Sequence, residues 1–444
     1  MRQGGRPAQL PGSVVMGRDV SMPHPGVNAA VTAGWRLRHL LRAPHRLTFF
    51  MGAVMLAATA LWWGCQLLAQ AMNWPWRPVV PVGVIHALLM SVSYMPLFFC
   101  GFLFTAGPKW LKLPAVSAHR LLPALAIMAT GWALAWVGMH WQLQVATLGM
   151  GLVTLGWGAL SLRFSRMVQD SQVSDKTHTL LASAACLIGV GVMCWLTLSL
   201  ALNSTPLLRT GIQMGIWWFL APVFVVMSHR MIPIFSASLI EPLDVRWPNW
   251  VLAVMLGALL FEGVVSVLDL WWWPQPPALR WLQLLIEATL AFLMLGLAVR
   301  WRFIQNLKIR LLAMLHGGFV WLGVALALNA VSHGLMAASS DTVSLGLAPL
   351  HAMTMGYLGC TMFAMVTRIS SGHGGRKESA DNMVWWLYWL LQVAVILRVS
   401  AVIAEAFMQS LTLVAAAVWG VVMVGWAVRY GYWFGTPRPD ERDG

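Results

Sequence analysis

Apolar residues run through the chain in long blocks, and polar residues collect in the short gaps between them. Each block is close to the ~20 residues that an α-helix needs to cross a hydrocarbon core of about 30 Å. Segments 47–70, 79–105, 119–139, 142–163, 178–201, 211–228, 249–270, 280–300, 309–331, 345–367, 383–405 and 409–430 read as spans. The pattern predicts an all-α fold, a polytopic integral membrane helix bundle of about 12 transmembrane helices occupying 47–430. The strand alternation of a membrane barrel is nowhere visible. Residues 1–46 carry Arg, Pro, Gly and Ser without apolar periodicity, and no apolar stretch follows closely enough for a cleavable signal peptide. A flexible basic N-terminal tail is expected there, with a short second tail at 431–444.

Composition narrows the class further. With 59% hydrophobic and 10% charged residues, the chain has too little polar surface to cover a soluble globule of its size. The 23 prolines and 39 glycines suit transmembrane helices, whose neighbours satisfy freed backbone groups. The five cysteines (Cys65, Cys100, Cys186, Cys194, Cys360) form no C-x-x-C pair, so neither disulfides nor a zinc finger are expected.

The formal charge of +14 does not point to nucleic acid, because the basic residues punctuate the apolar runs instead of clustering on one face. Their expected partner is the anionic lipid of the cytoplasmic leaflet. With the spans above, all 29 basic residues but Arg77, Arg209, Arg280 and Arg398 fall on one side. Lys and Arg accumulate in cytoplasmic loops, so both termini are expected in the cytoplasm.

An ionisable group inside a span is costly, so each histidine gains meaning from its depth. His86 and His351 fall in the outer half of the second and tenth spans. His316 lies early in the ninth, His229 at the inner end of the sixth and His373 just after the tenth, all toward the cytoplasmic side. Imidazole is neutral at working pH and offers one directed lone pair, which suits haem iron and copper. The outer pair has the depth to clamp one haem from two helices; hydrogen bonding between neighbouring helices is the competing reading, and the sequence leaves both open. Met90 and Met355 each follow a histidine by four residues, on the same helical face, as soft thioether donors or as ordinary packing. His333 is expected in an outer loop. His24, His39, His45, His119, His140 and His178 are expected at span ends or in solvated segments.

Glu262 and Glu287 fall inside the seventh and eighth spans, where a carboxylate protonates, pairs or lines a water path, so either can serve a proton relay. Arg398 in the eleventh span can pair with Glu405. The dense tryptophans mark interfacial belts. No nucleotide-binding glycine loop and no nucleophile elbow occurs.

Three stretches together resemble the NnrS family of haem- and copper-containing membrane proteins. The first is His86-Ala87 followed by Gly101-Phe102-Leu103-Phe104-Thr105-Ala106 and Pro108-Lys109-Trp110. The second is Ser228-His229-Arg230-Met231-Ile232-Pro233-Ile234-Phe235. The third is His351-Ala352-Met353-Thr354-Met355-Gly356, then Met365-Val366-Thr367-Arg368-Ile369-Ser370 and Gly372-His373-Gly374-Gly375-Arg376; Leu315-His316 also agrees. The resemblance covers most of the spans. It implies a twelve-helix protein of the bacterial inner (cytoplasmic) membrane with bound haem, b-type, and copper. It also implies a role in handling nitric oxide, by binding or by reduction with an external electron donor, in denitrification or nitrosative-stress defence. Many relatives carry His-x-His-Glu where this chain reads His86-Ala87-Leu88-Leu89, so a second ligand and an acid are absent here. The expected ligand set is therefore His86, His351 and His316 as cofactor-binding residues, with His229 and His373 as further metal ligands. The rival from another class is a transporter or exporter of a metal or haem with a histidine-lined path, although no internal repeat of the kind common in transporters is apparent.

Overall fold

A computed structural model describes residues 34–75, 77–237, 248–300, 309–375 and 380–438, without the side chains of 234–237 and 405. Twelve long helices account for nearly all of it, and there is no strand among the described residues. They are α1 (Pro44–Ala71), α2 (Val82–Trp110), α3 (Leu122–Trp141), α4 (Leu143–Asp170), α5 (Thr177–Ala201) and α6 (Thr205–Pro233, its helix running on to Ala237). The rest are α7 (Asn249–Trp271), α8 (Pro277–Arg300), α9 (Arg310–Ser339), α10, α11 (Asn382–Ile403) and α12 (Met408–Gly435). Helix α10 is built from Ala348–His351, Ala352–Gly359 and Cys360–His373 without a break.

Eleven of the twelve are long and apolar enough to cross a membrane, which makes this a multi-pass membrane protein. Helix α10 is equally long but less apolar, because His351, Thr354, Thr361 and Thr367 interrupt it. It can afford these groups because almost every residue in it is buried against neighbouring helices.

The helices extend several residues beyond the apolar runs at many ends. Helix α9, expected to stop near 331, continues to Ser339, and α4, expected to stop near 163, continues to Asp170. Apolarity marks the hydrocarbon layer, whereas a helix continues as long as its backbone hydrogen bonds are satisfied. The segment 1–46 is helical in its last part: Leu37–Arg42 forms a 3-10 turn, and α1 begins at Pro44, which serves as its first helical residue.

Trp35 Nε1 donates to the Gly431 carbonyl and the Arg36 amide to Gly435, so the two ends of the described chain meet. We call this end of the bundle proximal and the other distal. Helices α1 and α11 flank α12, α1 also packs on α2, and α3, α4 and α5 follow one another in an antiparallel row. Helices α8 and α9 form a second antiparallel pair, and α9 packs along α10.

Helices α2, α6 and α10 are the most enclosed, and each contains a π-helical turn: Leu89–Ser93, Gly215–Leu220 and Ala352–Gly359. A π-turn inserts one residue into the helical register, widening the helix and re-aiming the side chains before it. Such turns concentrate at functional sites. Ser91 Oγ and Thr354 Oγ1 donate to the carbonyls of Ala87 and Leu350 four residues back, supplying donors to backbone groups of the widened turns.

Candidate functional site

The three π-turns face a cavity of about 560 Å³ near the distal end. That volume lies within the ~300–1,000 Å³ range of sites for small molecules and cofactors. Helices α2, α6, α10, α11 and α12 supply most of its wall, which is chiefly apolar. Its imidazole, amide and guanidinium groups are few: His86, His351, Gln213, Arg209 and Arg398, with the hydroxyls of Ser91, Tyr94, Thr354 and Thr412 beside them.

The two histidines expected at this depth therefore share one cavity, and among the described residues neither hydrogen-bonds to another helix. His351 Nδ1 is 2.8 Å from the carbonyl oxygen of Leu347, which can only accept, so Nδ1 carries the ring proton and Nε2 keeps its lone pair. A carbonyl fixing the tautomer from one side of the ring is the usual support of a metal-binding imidazole. His86 stacks on Trp63 with ring centroids 3.8 Å apart and planes 20° from parallel, which restrains the ring by packing. Its Nδ1 is buried without a hydrogen-bond partner among the described residues. Leaving an imidazole nitrogen orphaned in an apolar interior costs about 1–3 kcal/mol, a cost that a ligand can remove. Met90 and Met355 line the same cavity, as does Arg398, which lies within electrostatic reach of both imidazoles. The pairing of Arg398 with Glu405 expected from sequence falls on a side chain outside the described residues.

Other histidines come together at the proximal end. His45 and His373 lie with ring centroids 4.7 Å apart. His45 also borders a small void of about 10 Å³, roughly the space of one water, lined by Arg46, Ser370 and Gly374. His178 Nε2 and His229 Nδ1 are 3.0 Å apart, and His229 Nε2 is 3.3 Å from the Pro248 carbonyl. Because that carbonyl accepts from His229 Nε2, His229 Nδ1 accepts from His178, and His178 Nδ1 is left as a buried lone pair. Both nitrogens of His229 are thus engaged, and binding a metal there requires one of these bonds to break. His316 is buried within α9 and is not among the residues lining the cavity. No group of three His, Cys, Asp or Glu residues with metal-site geometry occurs among the described residues.

Several expectations for histidine need correction. His39, His45, His140, His178 and His333, expected in solvated or interfacial positions, are all buried. His39 bonds to the Gly435 carbonyl. His140 bonds to the Trp136 carbonyl through Nδ1 and accepts from Trp62 through Nε2, a satisfied structural histidine. His333 is not in a loop; it lies in α9 and its Nδ1 is 2.7 Å from Glu287 Oε2. His119 is exposed as expected, and His24 lies outside the described residues. The causes differ: α9 outruns its apolar stretch and carries His333 well inside a helix, whereas His45, His140 and His178 do lie within two residues of a helix end, and His39 in the 3-10 turn before α1, but neighbouring elements cover them. Arg280, assigned to the outer side by charge counting, is at the distal end as expected yet fully buried.

No curated protein matches the chain. The family model described as NnrS protein matches residues 39–438, nearly its whole length, and the chain belongs to the NnrS protein family.

Proposed function

We propose that the chain is a haem- and copper-binding protein of the bacterial inner membrane that binds nitric oxide, with haem in the distal cavity between His86 and His351. The observation that carries this reading is the donor set: two imidazoles from two helices, one with its tautomer fixed and one with an orphaned nitrogen, on the wall of one apolar cavity of cofactor size. The cationic Arg209 and Arg398 suit the two carboxylates that a haem carries, since guanidinium pairs with carboxylate more strongly than neutral donors do. Haem, if bound there, would supply an iron able to take a diatomic ligand.

The protein's own part is to hold, exclude and admit. Leu347 keeps His351 Nε2 available, and Trp63 keeps the His86 ring from turning. The apolar wall limits water, which favours a small apolar gas that already partitions into the bilayer. Met90 and Met355 offer softer donors on the same wall. Whether bound nitric oxide is also reduced depends on an external electron donor, and binding alone suffices for the present reading. For copper, the proximal His45 and His373 fit best: two imidazoles from different helices with ring centroids 4.7 Å apart. The basic proximal connectors argue for that end facing the cytoplasm.

The test is the absorption spectrum and metal content of detergent-purified protein. A stoichiometric Soret band that shifts with nitric oxide is expected, with copper present. A colourless preparation from cells grown with ample iron and copper overturns the reading and favours the transporter alternative.

A further inference from the structure

Helices α7, α8 and α9 carry a second run of buried polar groups, apart from the cavity's imidazoles. At the distal end Arg280 is enclosed: its Nη1 is 2.6 Å from Asp269 Oδ1 and its Nε 2.9 Å from Asp341 Oδ1. Gln275 and Gln283 complete this knot, and Asp341 Oδ2 accepts from the Gln275 amide at 2.7 Å. Behind it, His333 Nε2 lies 3.7 Å from Asp269 Oδ2, and His333 Nδ1 lies 2.7 Å from Glu287 Oε2. Glu262 is close enough to Glu287 for the two carboxyl groups to interact electrostatically, and its Oε2 accepts from Asn329 Nδ2 at 2.8 Å.

We infer that this run is a proton half-channel, open to the distal aqueous face at Asp269 and closed at Glu262 near the middle of the bilayer. Depth supports the direction. Glu262 lies nine residues inside the distal end of α7 and Glu287 ten residues inside that of α8. At 1.5 Å per residue both are about 14 Å deep, half of a hydrocarbon core of ~30 Å. The Asp269 side chain is 27% exposed, whereas those of Glu287 and Arg280 are fully buried.

The knot around Arg280 closes the distal loops by itself. His333, Glu287 and Glu262 lie beyond it, where apolar side chains would tie the helices without desolvation cost. Glu262 and Glu287 each leave Oε1 buried and unpartnered among the described residues, so the run holds more proton sites than its hydrogen bonds consume. An imidazole between two carboxyl groups can take a proton at Nε2 from Asp269 and release one from Nδ1 to Glu287, ending as the other neutral tautomer. No bond other than N–H and O–H is made or broken. The α6 side chains that hydrogen-bond to α7 among the described residues are Trp218 and Thr210, neither of which titrates in the ordinary range.

The inference does not depend on what occupies the cavity, and its test needs no cofactor. Infrared difference spectra of the full-length protein in lipid nanodiscs resolve the C=O stretch of protonated carboxylic acids. Wild type is expected to show such a band, diminished in both Glu262→Gln and Glu287→Gln, with a deuterium shift completed on transfer to heavy water. His333→Gln and Asp269→Asn are expected to slow that shift at least tenfold, each eluting as a single helical species. A band indifferent to both glutamate substitutions overturns the inference. So does exchange that is equally fast in the two relay variants, or equally slow in wild type, either of which leaves a sealed structural tie. Loss of the band on adding sodium at fixed pH would make the run a cation site and overturn it as well.

Discussion

At the scale of single residues the distal cavity makes sharp demands. His351 is held by the Leu347 carbonyl and His86 by the Trp63 ring, so each imidazole is set before any ligand arrives. Under the proposed function, His86→Ala and His351→Ala each remove or weaken the Soret band of purified protein; unchanged haem content in both would show the pair to be misassigned. Arg398→Leu keeps both imidazoles but deletes one charge-assisted partner, worth about 1.5–3 kcal/mol, so haem should transfer to an apo-globin acceptor roughly tenfold faster or more. The depth of His86 and His351 was legible in the sequence, because it follows from position within a run of known direction. That they share a cavity was not, since neighbourhood in a bundle depends on side-chain fit that a single sequence does not display. His45, His178 and His333 were hidden for a different reason. Hydropathy averages over a window, and a polar side chain near a span end is read as solvent-facing even where the helix continues and a partner helix covers it.

Elements are tied to one another here by close backbone contact and by connectors with specific caps. Helices α3 and α4 are joined through Gln142 alone and pack along their whole length. A Cβ on Gly149 would strike the backbone nitrogen of Ala135, and one on Gly138 that of Ala146, so neither side can yield. Membrane helices associate through small residues that let backbones approach, and this hairpin is of that kind. Gly149→Ala should lower stability by about 1–3 kcal/mol, read as an earlier thermal unfolding or aggregation transition in detergent. Gly257→Ala, where nothing lies within 4 Å, is the matched control with no loss. At the connector before α11, the Asp381 side chain accepts from the Val384 amide and pairs with Arg429 of α12. Partial burial works against its charge, but these two partners hold the carboxyl below the usual aspartate range. A carboxyl whose folded value is depressed contributes stability that is present above its unfolded value, near pH 4, and lost as pH falls through the folded one. Asp381→Ala should therefore cost about 1 kcal/mol at neutral pH, as loss of a helix cap does, with the gap to wild type narrowing below pH 4.

For the whole molecule, the decisive question is parity: an even number of crossings returns the C-terminal end to the side of the N-terminal one. The apolar runs made twelve spans legible, because membrane solvent imposes length and composition on each crossing without reference to the others. Eleven helices meet the composition test, and α10 does not. If α10 failed to cross, the proximal ends of α11 and α12 would lie across the membrane from Trp35, yet Trp35 and Arg36 are hydrogen-bonded to Gly431 and Gly435. Crossing by α10 is therefore required by contacts at the other end of the chain, and its polar groups are tolerated because protein, not lipid, surrounds them. The distribution of basic residues predicts that the proximal connectors face the cytoplasm, and this orientation is open to a direct check. Alkaline phosphatase fused after Ser344, in the distal connector between α9 and α10, should be active in the periplasm. The same enzyme fused after Ala380, in the connector that follows α10, should be inactive, while a fluorescent protein at the C-terminus should mature. Activity at both phosphatase sites would mean that α10 does not cross and would remove the depth argument for His351 along with it. Activity reversed at every site would leave the bundle intact but turn the histidine cavity and the Asp269 entrance toward the cytoplasm.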